Sequence, residues 1–267
     1  MPALPEDEAL ELLRHGTMEI EGRLMDASNA TLRCVISHAG TEARCVYKPV
    51  SGERPLWDFP DGTLAGREYA AWLLSRATGW GIVPPTVLRE GPLGTGMVQL
   101  WIDDEQQSDG LLLGFVPVGK VPKGWRRIMS ARDERGRPYV LAHADDPRLA
   151  RLAVFDAVAN NADRKGGHVI DTVDGRVHGV DHGICFHTED KLRTIIWGWA
   201  GEPIPDDGLE VLEKLRAQYS AGLAESLSEH LTPAEVGMVS VRIGALLAAR
   251  TFPAPDEDRH AIPWPPI

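Results

Sequence analysis

The dipeptide Asp174-Gly175 is the feature that most restricts how this chain can fold, because it predicts a tight hairpin turn between two short strands. A two-residue turn at these positions sets Val173 opposite Arg176. Counting outward along both strands then brings His168 directly opposite Asp181. Opposed side chains on one face of a hairpin have Cβ atoms about 4.5–5.5 Å apart. An imidazole and a carboxylate at that separation can share one metal ion.

A second carboxylate precedes this hairpin. Asp163 lies five residues before His168, at the end of a helical run and within reach of the same hairpin mouth. We therefore predict that Asp163, His168 and Asp181 converge on one pocket as metal ligands or proton-transfer groups. The alternative interpretation is that His168 and Asp181 form a surface hydrogen-bonded pair and that Asp163 only ends a helix.

The first hundred residues predict a sheet with one long helix. After a short acidic helix at residues 7–13, strand-like runs at 17–24, 31–37 and 43–50 are separated by turn residues. Thr63 can cap a helix that ends before Gly79, and two further strands follow at 83–89 and 97–102. We expect a β-sheet lobe at residues 1–103.

The rest of the chain, residues 104–267, predicts a mainly helical lobe. Apolar periodicity indicates helices at 147–160, 208–229 and 232–250, the last with Thr232 and Glu235 in capping-box positions. Residues 119–146 read as irregular, with a basic cluster that is either a solvated loop or a contact for an anionic substrate. The cluster comprises Lys120, Lys123, Arg126 and Arg127. The predicted fold class is α+β with two lobes.

Charge and cysteine content exclude several classes of protein. The net charge of −11 disfavours nucleic acid as a partner, so a phosphate must be met by a local cluster of donors. No apolar run reaches the roughly 18 residues that a membrane span needs, and we expect neither a signal peptide nor a transmembrane segment. Three cysteines at scattered positions (Cys34, Cys45 and Cys185) fit neither a disulfide framework nor a zinc site, which favours the cytoplasm.

The segment 155–164, which ends in Asn160-Asn161-Ala162-Asp163-Arg164, together with Asp181-His182-Gly183, resembles the catalytic core of atypical protein-kinase-like families. The resemblance is to phosphatidylinositol 3-/4-kinase-related families, and more distantly to HipA-type kinases and secretory-pathway Golgi kinases. Those families have an Asp-Arg catalytic loop, a metal-binding Asn five residues later and an Asp-x-Gly about 18 residues after the first Asp. The resemblance implies a bilobal kinase-like fold with an antiparallel β-sheet N-lobe.

The resemblance also implies roles for the residues of this core. Asp163 would be the catalytic aspartate and Asp181 the metal-binding aspartate, while His168 stands where the second metal ligand is usually Asn. Imidazole suits Mn²⁺ better than Mg²⁺, so the metal preference shifts, His168 contacts phosphate instead, or activity is weak. Asp156 would support the catalytic loop and Arg164 would neutralise the acidic cluster.

The nucleotide side of the site is predicted from the first lobe. Lys48, in the third strand, resembles the phosphate-binding lysine of these families. Glu68 is either an exposed charge of the following helix or part of its buried stripe, where an unpaired carboxylate is costly. On the second interpretation we expect a Lys48–Glu68 ion pair. Ser28 occupies the loop expected to cover the phosphates. By its order in the chain, the stretch Gln99, Leu100, Trp101 and Ile102 corresponds to the segment that contacts adenine.

These features predict an ATP-dependent kinase that uses Mg²⁺ or Mn²⁺ and transfers the γ-phosphoryl group to a hydroxyl acceptor. The acceptor is left open among a protein serine or threonine, a lipid or inositol head group, and a small metabolite. Three alternatives also stay open: a nucleotide-binding pseudokinase, a nucleotidyl transferase on the same fold, and a non-catalytic globular protein with an accidental motif match.

Overall fold

The computed structural model describes residues 4–24, 29–103, 106–108, 110–256 and 258–267. The chain begins with helix α1 (Glu6–His15), which buries the apolar face that includes Leu10 and Leu13. Strands β1 (Thr17–Arg23), β2 (Leu32–His38) and β3 (Thr41–Pro49) follow. The β2–β3 connection is the pair Ala39-Gly40, both with positive φ, as a two-residue hairpin turn requires.

Helix α2 (Leu64–Thr78) begins and ends where local rules predict. The Thr63 side chain accepts a hydrogen bond from the Gly66 N–H at 2.9 Å, and Gly79 ends the helix in the left-handed conformation, with φ of 78°. Strands β4 (Thr86–Gly91) and β5 (Gly94–Leu100) complete an antiparallel five-stranded sheet of order β1-β2-β3-β5-β4. The strand order places β3 beside β5, so Lys48 pairs with Met97.

Residues 119–146 correct the expectation of an irregular segment. They contain strands β7 (Arg126–Arg132) and β8 (Pro138–His143), which join β6 (Leu113–Pro117) in a three-stranded antiparallel sheet of order β6-β8-β7. Their sequences, a mixture of basic, polar and apolar residues, have no clear period that would predict strands. Strand formation depends on pairing with neighbours more than on intrinsic propensity.

Helix α3 (Pro147–Ala159) leads into the short hairpin of β9 (Val169–Asp171) and β10 (Val177–Gly179). The predicted register of this hairpin is wrong by one residue. Val177 pairs with Asp171 and Gly179 pairs with Val169, so His168 does not lie opposite Asp181 along the ladder. The loop has three residues rather than two, and it closes on Gly175 with φ of 83°, the conformation of a type I turn followed by a glycine bulge.

The chain then forms helices α4 (Asp206–Gln218), α5 (Ala224–Ser228) and α6 (Pro233–Ala249). The single helix expected at 208–229 is interrupted at Gly222, whose φ is 132°. The capping box of Thr232 and Glu235 is present at the start of α6. The architecture is α+β, as the sequence predicts, and the lobe boundary at residue 103 stays a prediction.

Two further expectations concern the whole chain. In the described parts of the chain, no helix combines the length and apolarity needed to span a membrane. The three cysteines are buried and none forms a disulfide. Cys34 and Cys45 are eleven positions apart in the chain, yet they lie directly opposite each other in β2 and β3.

Candidate active site

Lys48 on β3 joins two carboxylates that come from distant parts of the chain. Its Nζ lies 2.5 Å from Glu68 Oε1 and 2.8 Å from Asp181 Oδ1. Glu68 is 1% exposed, whereas the Asp181 side chain is 49% exposed. The predicted Lys48–Glu68 ion pair is therefore present. Asp181 is a second partner of Lys48, and its carboxylate remains accessible to solvent.

The charges of this triad support one another. Burial disfavours the ammonium form of Lys48, but the carboxylates of Asp181 and Glu68 outweigh burial and raise the pKa of Lys48 above its usual range. In return, the Lys48 ammonium holds the pKa of the Asp181 carboxyl well below its usual range. Burial raises the pKa of Glu68, an effect that Lys48 opposes. Lys48 is thus positive and Asp181 is negative at neutral pH.

Helix α2 is anchored at its N-terminal end, by residues just before Glu68. The Glu53 carboxylate accepts hydrogen bonds from the Leu64 and Ala65 N–H groups at 2.9 and 2.8 Å, which caps the helix start. The neighbour of Glu68, Arg67, is almost fully buried and forms a 2.7 Å ion pair with Glu235 on α6. This pair holds the helix, and with it Glu68, against the helical part of the fold.

Asp181 reaches Lys48 because its backbone leaves the extended conformation. The φ of Asp181 is 60°, a left-handed conformation that turns the chain out of the β10 strand direction. The next residue, His182, donates its backbone N–H to Glu68 Oε2 at 2.9 Å. Glu68 therefore binds both Lys48 and the Asp181-His182-Gly183 segment.

His168 meets Asp181 despite the shifted register, with Nε2 lying 3.4 Å from Asp181 Oδ2. The other ring nitrogen, Nδ1, donates to the backbone oxygen of Asp163 at 3.1 Å. Burial lowers the pKa of His168, so the ring is neutral at pH 7 and Nε2 carries a lone pair. Two electron-pair donors then face each other, an arrangement that a cation relieves. Ligands roughly 2.1 Å from an octahedral metal ion lie roughly 3 Å from each other, which this spacing fits.

Asp163 contacts His168 through its backbone oxygen rather than through its carboxylate. Its carboxylate forms a 2.8 Å ion pair with Lys165, and its backbone N–H donates to Asn161 Oδ1 at 2.9 Å. Burial raises the pKa of Asp163, against the effect of Lys165. Across the described residues, no three His, Cys, Asp or Glu side chains are grouped tightly enough to hold a metal. His168 and Asp181 form the facing pair expected of the two metal ligands, and the role of Asp163 beside them stays a prediction.

Arg164 and Asp156 form a fully buried pair that organises the loop. Arg164 Nε and Nη2 donate to the two Asp156 oxygens at 2.8 and 2.9 Å. Arg164 Nη1 donates to the backbone oxygens of His168 and Val180 at 3.0 and 2.9 Å. Asp156 balances Arg164 and also accepts a hydrogen bond from Asn161 Nδ2 of the loop at 3.1 Å, while Arg164 contacts the loop backbone.

His182 completes this buried network. Arg164 Nη2 donates to His182 Nε2 at 2.7 Å. An arginine cannot accept, so Nε2 is the acceptor and the ring is neutral, with its proton on Nδ1. Burial holds the pKa of His182 well below its usual range.

In the predicted adenine-contacting segment, several polar groups are already hydrogen-bonded within the protein. Gln99 is buried and donates to Thr86 Oγ1 at 2.9 Å. The backbone N–H of Leu100 donates to Pro85 O at 2.9 Å and that of Trp101 to Arg44 O at 3.0 Å, so neither can bind adenine without breaking a bond. Ser28 lies outside the described residues. The adenine role of this segment stays a prediction.

A cavity of about 700 Å³ is lined by three residues of this segment. Its walls include Trp72, Leu100, Trp101, Ile102 and His178. None of Lys48, Glu68, Asp163 or Asp181 lines it, so it is separate from the charged cluster.

Three contacts were not found from the sequence. Lys165 directly follows the Asp163-Arg164 pair and offers the ion-pair partner for Asp163, which spacing alone could have indicated. The Arg67–Glu235 pair and the Arg164–His182 contact join residues too far apart in the chain for any local pattern to reveal.

Two solved structures are similar to this chain in their overall fold. A crystal structure of the golgi casein kinase is 15% identical, with a TM-score of 0.53 over 94% of this chain and 79% of that chain. The structure of hydra Fam20 with sugar is 15% identical, with a TM-score of 0.48 over 91% and 87% of the two chains. The first of these supports the kinase-like fold that the sequence predicts.

No protein-family model matches the chain. The chain does match an individual protein over nearly its whole length. Protein Rv2133c of Mycobacterium tuberculosis is 47% identical over 266 residues, covering 97% of this chain and 95% of the relative. Identity at that level over nearly the whole of both chains is enough to establish kinship. The protein therefore belongs to the same family as Protein Rv2133c.

Proposed function

We propose that this protein is a phosphotransferase that moves the γ-phosphoryl group of ATP to a hydroxyl acceptor. The observation that carries the proposal is the contact of Lys48 with both Glu68 and Asp181, at 2.5 and 2.8 Å. Kinase-type phosphoryl transfer uses a strand lysine paired with a helix glutamate, together with a nearby aspartate that holds the metal. Lys48, Glu68 and Asp181 supply these three groups in one cluster.

Lys48 is suited to bind the nucleotide phosphates. Its charge is retained because the two carboxylates raise its pKa. Glu68 is braced by the anchored helix α2, so the ammonium is oriented before the nucleotide arrives. Holding the donor in a fixed orientation lowers the barrier of a reaction that depends mainly on position and charge.

Asp181 and His168 would hold the divalent metal. Their facing donors lie 3.4 Å apart, and the protein need supply only one or two ligands when phosphates and water complete the shell. The bound ion would neutralise the charge that develops on the phosphates. Because an imidazole replaces the usual amide, we propose that Mn²⁺ is preferred over Mg²⁺.

Asp163 would orient the acceptor hydroxyl and accept its proton. Burial raises the pKa of Asp163, which makes the carboxylate a stronger base than an exposed one. The acceptor oxygen forms a bond to the γ-phosphorus as the bond to the bridging oxygen breaks. The hydroxyl proton passes to the Asp163 carboxylate, and ADP leaves. Asp163 then releases this proton to solvent before the next turnover, and the Lys165 ammonium, 2.8 Å from the carboxylate, favours that release.

The acceptor class and subtype are part of the proposal. We retain two acceptor classes. If the protein is of the phosphatidylinositol 3-/4-kinase-like subtype, the acceptor is a lipid or inositol head group; the other principal acceptor is a protein serine or threonine. The name of the golgi casein kinase makes a protein acceptor the first to test. The buried free thiols Cys34, Cys45 and Cys185 support a reducing cytoplasm as the site of action.

The test compares transfer from γ-labelled and α-labelled ATP in Mn²⁺ and in Mg²⁺. Casein, phosphatidylinositol vesicles and myo-inositol serve as acceptors, and autophosphorylation is scored on the same gels. We expect label from γ-labelled ATP only, more of it in Mn²⁺, and its loss in Asp163→Asn. The exposed carboxylate of Asp207, paired with Arg151 at 2.9 Å, provides the matched control Asp207→Asn.

The other outcomes contradict the proposal in distinct ways. Label from α-labelled ATP indicates nucleotidyl transfer. Equal turnover in Asp163→Asn and the wild type removes Asp163 from the mechanism. Nucleotide-induced thermal stabilisation without any transfer indicates a pseudokinase, a second function that His168 favours because it stands in place of a metal-binding amide.

A further inference from the structure

Strand β7 (Arg126–Arg132) is an edge strand. In the three-stranded sheet of order β6-β8-β7 it pairs with β8 alone. Within the part of the chain that the structure describes, no other strand pairs with its outer side. Every second residue of such an edge presents a backbone N–H and C=O that another strand can bind.

The surroundings of β7 carry a charge opposite to that of the whole protein. Residues 120–137 contain seven Lys or Arg and two Asp or Glu, in a chain whose net charge is −11. Arg126 pairs with Asp145 and Glu202, and Arg137 pairs with Asp133. Arg132 is exposed, and its Nη1 donates to the backbone oxygen of Gly136 at 2.9 Å. The remaining basic residues are also exposed: Lys120, Lys123, Arg127 and Arg135.

The exposed charges of β7 lie on one face of the sheet. Arg127 pairs with Ala142 and Arg132 with Pro138. These partners are four residues apart on β8, so they share one face of that strand, and directly opposed residues lie on the same face. A strand added to the β7 edge would therefore have Arg127 and Arg132 beside its side chains on that face.

From these observations we propose that the β7 edge binds an extended acidic peptide segment of a partner protein. The peptide pairs its backbone with the outer side of β7, and its carboxylates face Arg127 and Arg132. Binding of this kind takes affinity from backbone hydrogen bonds and selectivity from alternate side chains. The proposal is independent of phosphoryl transfer.

Two features favour a peptide over other polyanions. Nucleic acid and anionic membranes have extended negatively charged surfaces. The protein as a whole, with its net charge of −11, repels such surfaces. A single peptide strand meets only the local basic region. Nucleic acid and lipid head groups also offer no amide N–H row to match the outer edge of β7.

The test uses a fluorescein-labelled ten-residue peptide of alternating Glu and Val, with binding measured by fluorescence anisotropy. A second peptide carries the same charges but has N-methyl groups on every Val, which removes backbone donors on one side. We expect the N-methylated peptide to bind about tenfold more weakly, as the loss of one or two net hydrogen bonds predicts. Because only the peptide changes, a folding defect cannot produce this difference.

Protein variants test the charges. Arg127→Glu with Arg132→Glu should weaken binding of the unmodified peptide by about tenfold or more, since like charges then face each other. Arg14→Glu with Arg216→Glu changes the net charge equally at exposed positions outside the region, and it should leave the affinity within about twofold.

Four results would overturn the proposal. Equal binding of the two peptides would show attraction without strand pairing. Tighter binding of a 20-base-pair DNA or of phosphatidylserine vesicles would assign the region to another partner. Self-association that is lost in the Arg127→Glu, Arg132→Glu variant would make a second copy of the chain the occupant. No binding of any probe would mean that the charges only keep the edge from pairing with other chains.

Discussion

Replacing Arg164 by methionine removes the charge of a guanidinium that is completely buried beside Asp156. Methionine keeps most of the length and the apolar contacts of the side chain. It cannot make the two bonds to Asp156, at 2.8 and 2.9 Å, or those to the backbone oxygens of His168 and Val180. The variant therefore leaves a buried carboxylate without its cation.

The expected cost follows from these contacts. Breaking a buried ion pair by removing one partner costs about 3–5 kcal/mol, because the remaining charge is buried and unpaired. Each backbone oxygen that loses its donor adds about 1 kcal/mol. The sum, roughly 5–7 kcal/mol, is comparable to the total stability of many domains. We expect Arg164→Met to be largely unfolded or strongly destabilised at 25 °C.

Urea unfolding followed by tryptophan fluorescence measures the effect. The matched control is Arg151→Met, because Arg151 pairs with Asp207 at 2.9 Å but both side chains are more than 40% exposed. A surface pair of this kind contributes at most about 1 kcal/mol. In the double variant Asp156→Asn, Arg164→Met, neither charge is left buried without its partner. Its loss of unfolding free energy should therefore be at least about 2 kcal/mol smaller than the summed losses of the two single variants.

The reasoning fails if Arg164→Met costs no more than Arg151→Met. It also fails if the costs of Asp156→Asn and Arg164→Met simply add. Either result would mean that the buried pair does not hold the loop together.

Three further predictions test the site and its surroundings. Glu68→Gln should raise the KM for ATP and cost about 1.5–3 kcal/mol of stability, because a hydrogen bond between charged groups is weakened; an unchanged KM would separate Glu68 from nucleotide binding. His168→Asn should shift the ratio of Mn²⁺-supported to Mg²⁺-supported activity towards Mg²⁺, since an amide oxygen replaces the imidazole; an unchanged ratio would exclude His168 as a ligand. Burial lowers the pKa of His143, His178 and His182, so the unfolded chain binds more protons. The free energy of unfolding is then unaffected by these histidines above about pH 6.5, the ordinary histidine pKa. Below that pH it falls by up to about 1.4 kcal/mol per pH unit for each histidine; urea midpoints equal at pH 7 and pH 5.5 would contradict this.

Much of the fold was predictable because its signals are local. The Thr63 cap and the Gly79 end of α2, and the capping box at the start of α6, each depend on hydrogen bonds within a few residues. Strands β7 and β8 had no such signal, since they exist as strands only by pairing with each other and with β6.

The hairpin shows where sequence reasoning reached its limit. A turn at Asp174-Gly175 was correctly expected, but Gly175 closes a three-residue loop rather than a two-residue one. That choice moves the register by one residue, which should separate His168 from Asp181. The side chains still meet because Asp181 adopts a left-handed backbone, a conformation that no pattern in the chain indicates.

The sequence by itself determined both ends of α2, the start of α6, the α+β class and which residue types carry charge in the loop from Asp163 to Asp181. Only the tertiary structure decided that Lys48 contacts an aspartate 133 positions away, and that Cys34 lies against Cys45. Local hydrogen bonds depend on neighbours in the chain and so can be read from it. Contacts between distant residues depend on how whole elements pack, and one residue of register or one backbone angle moves them by several ångströms.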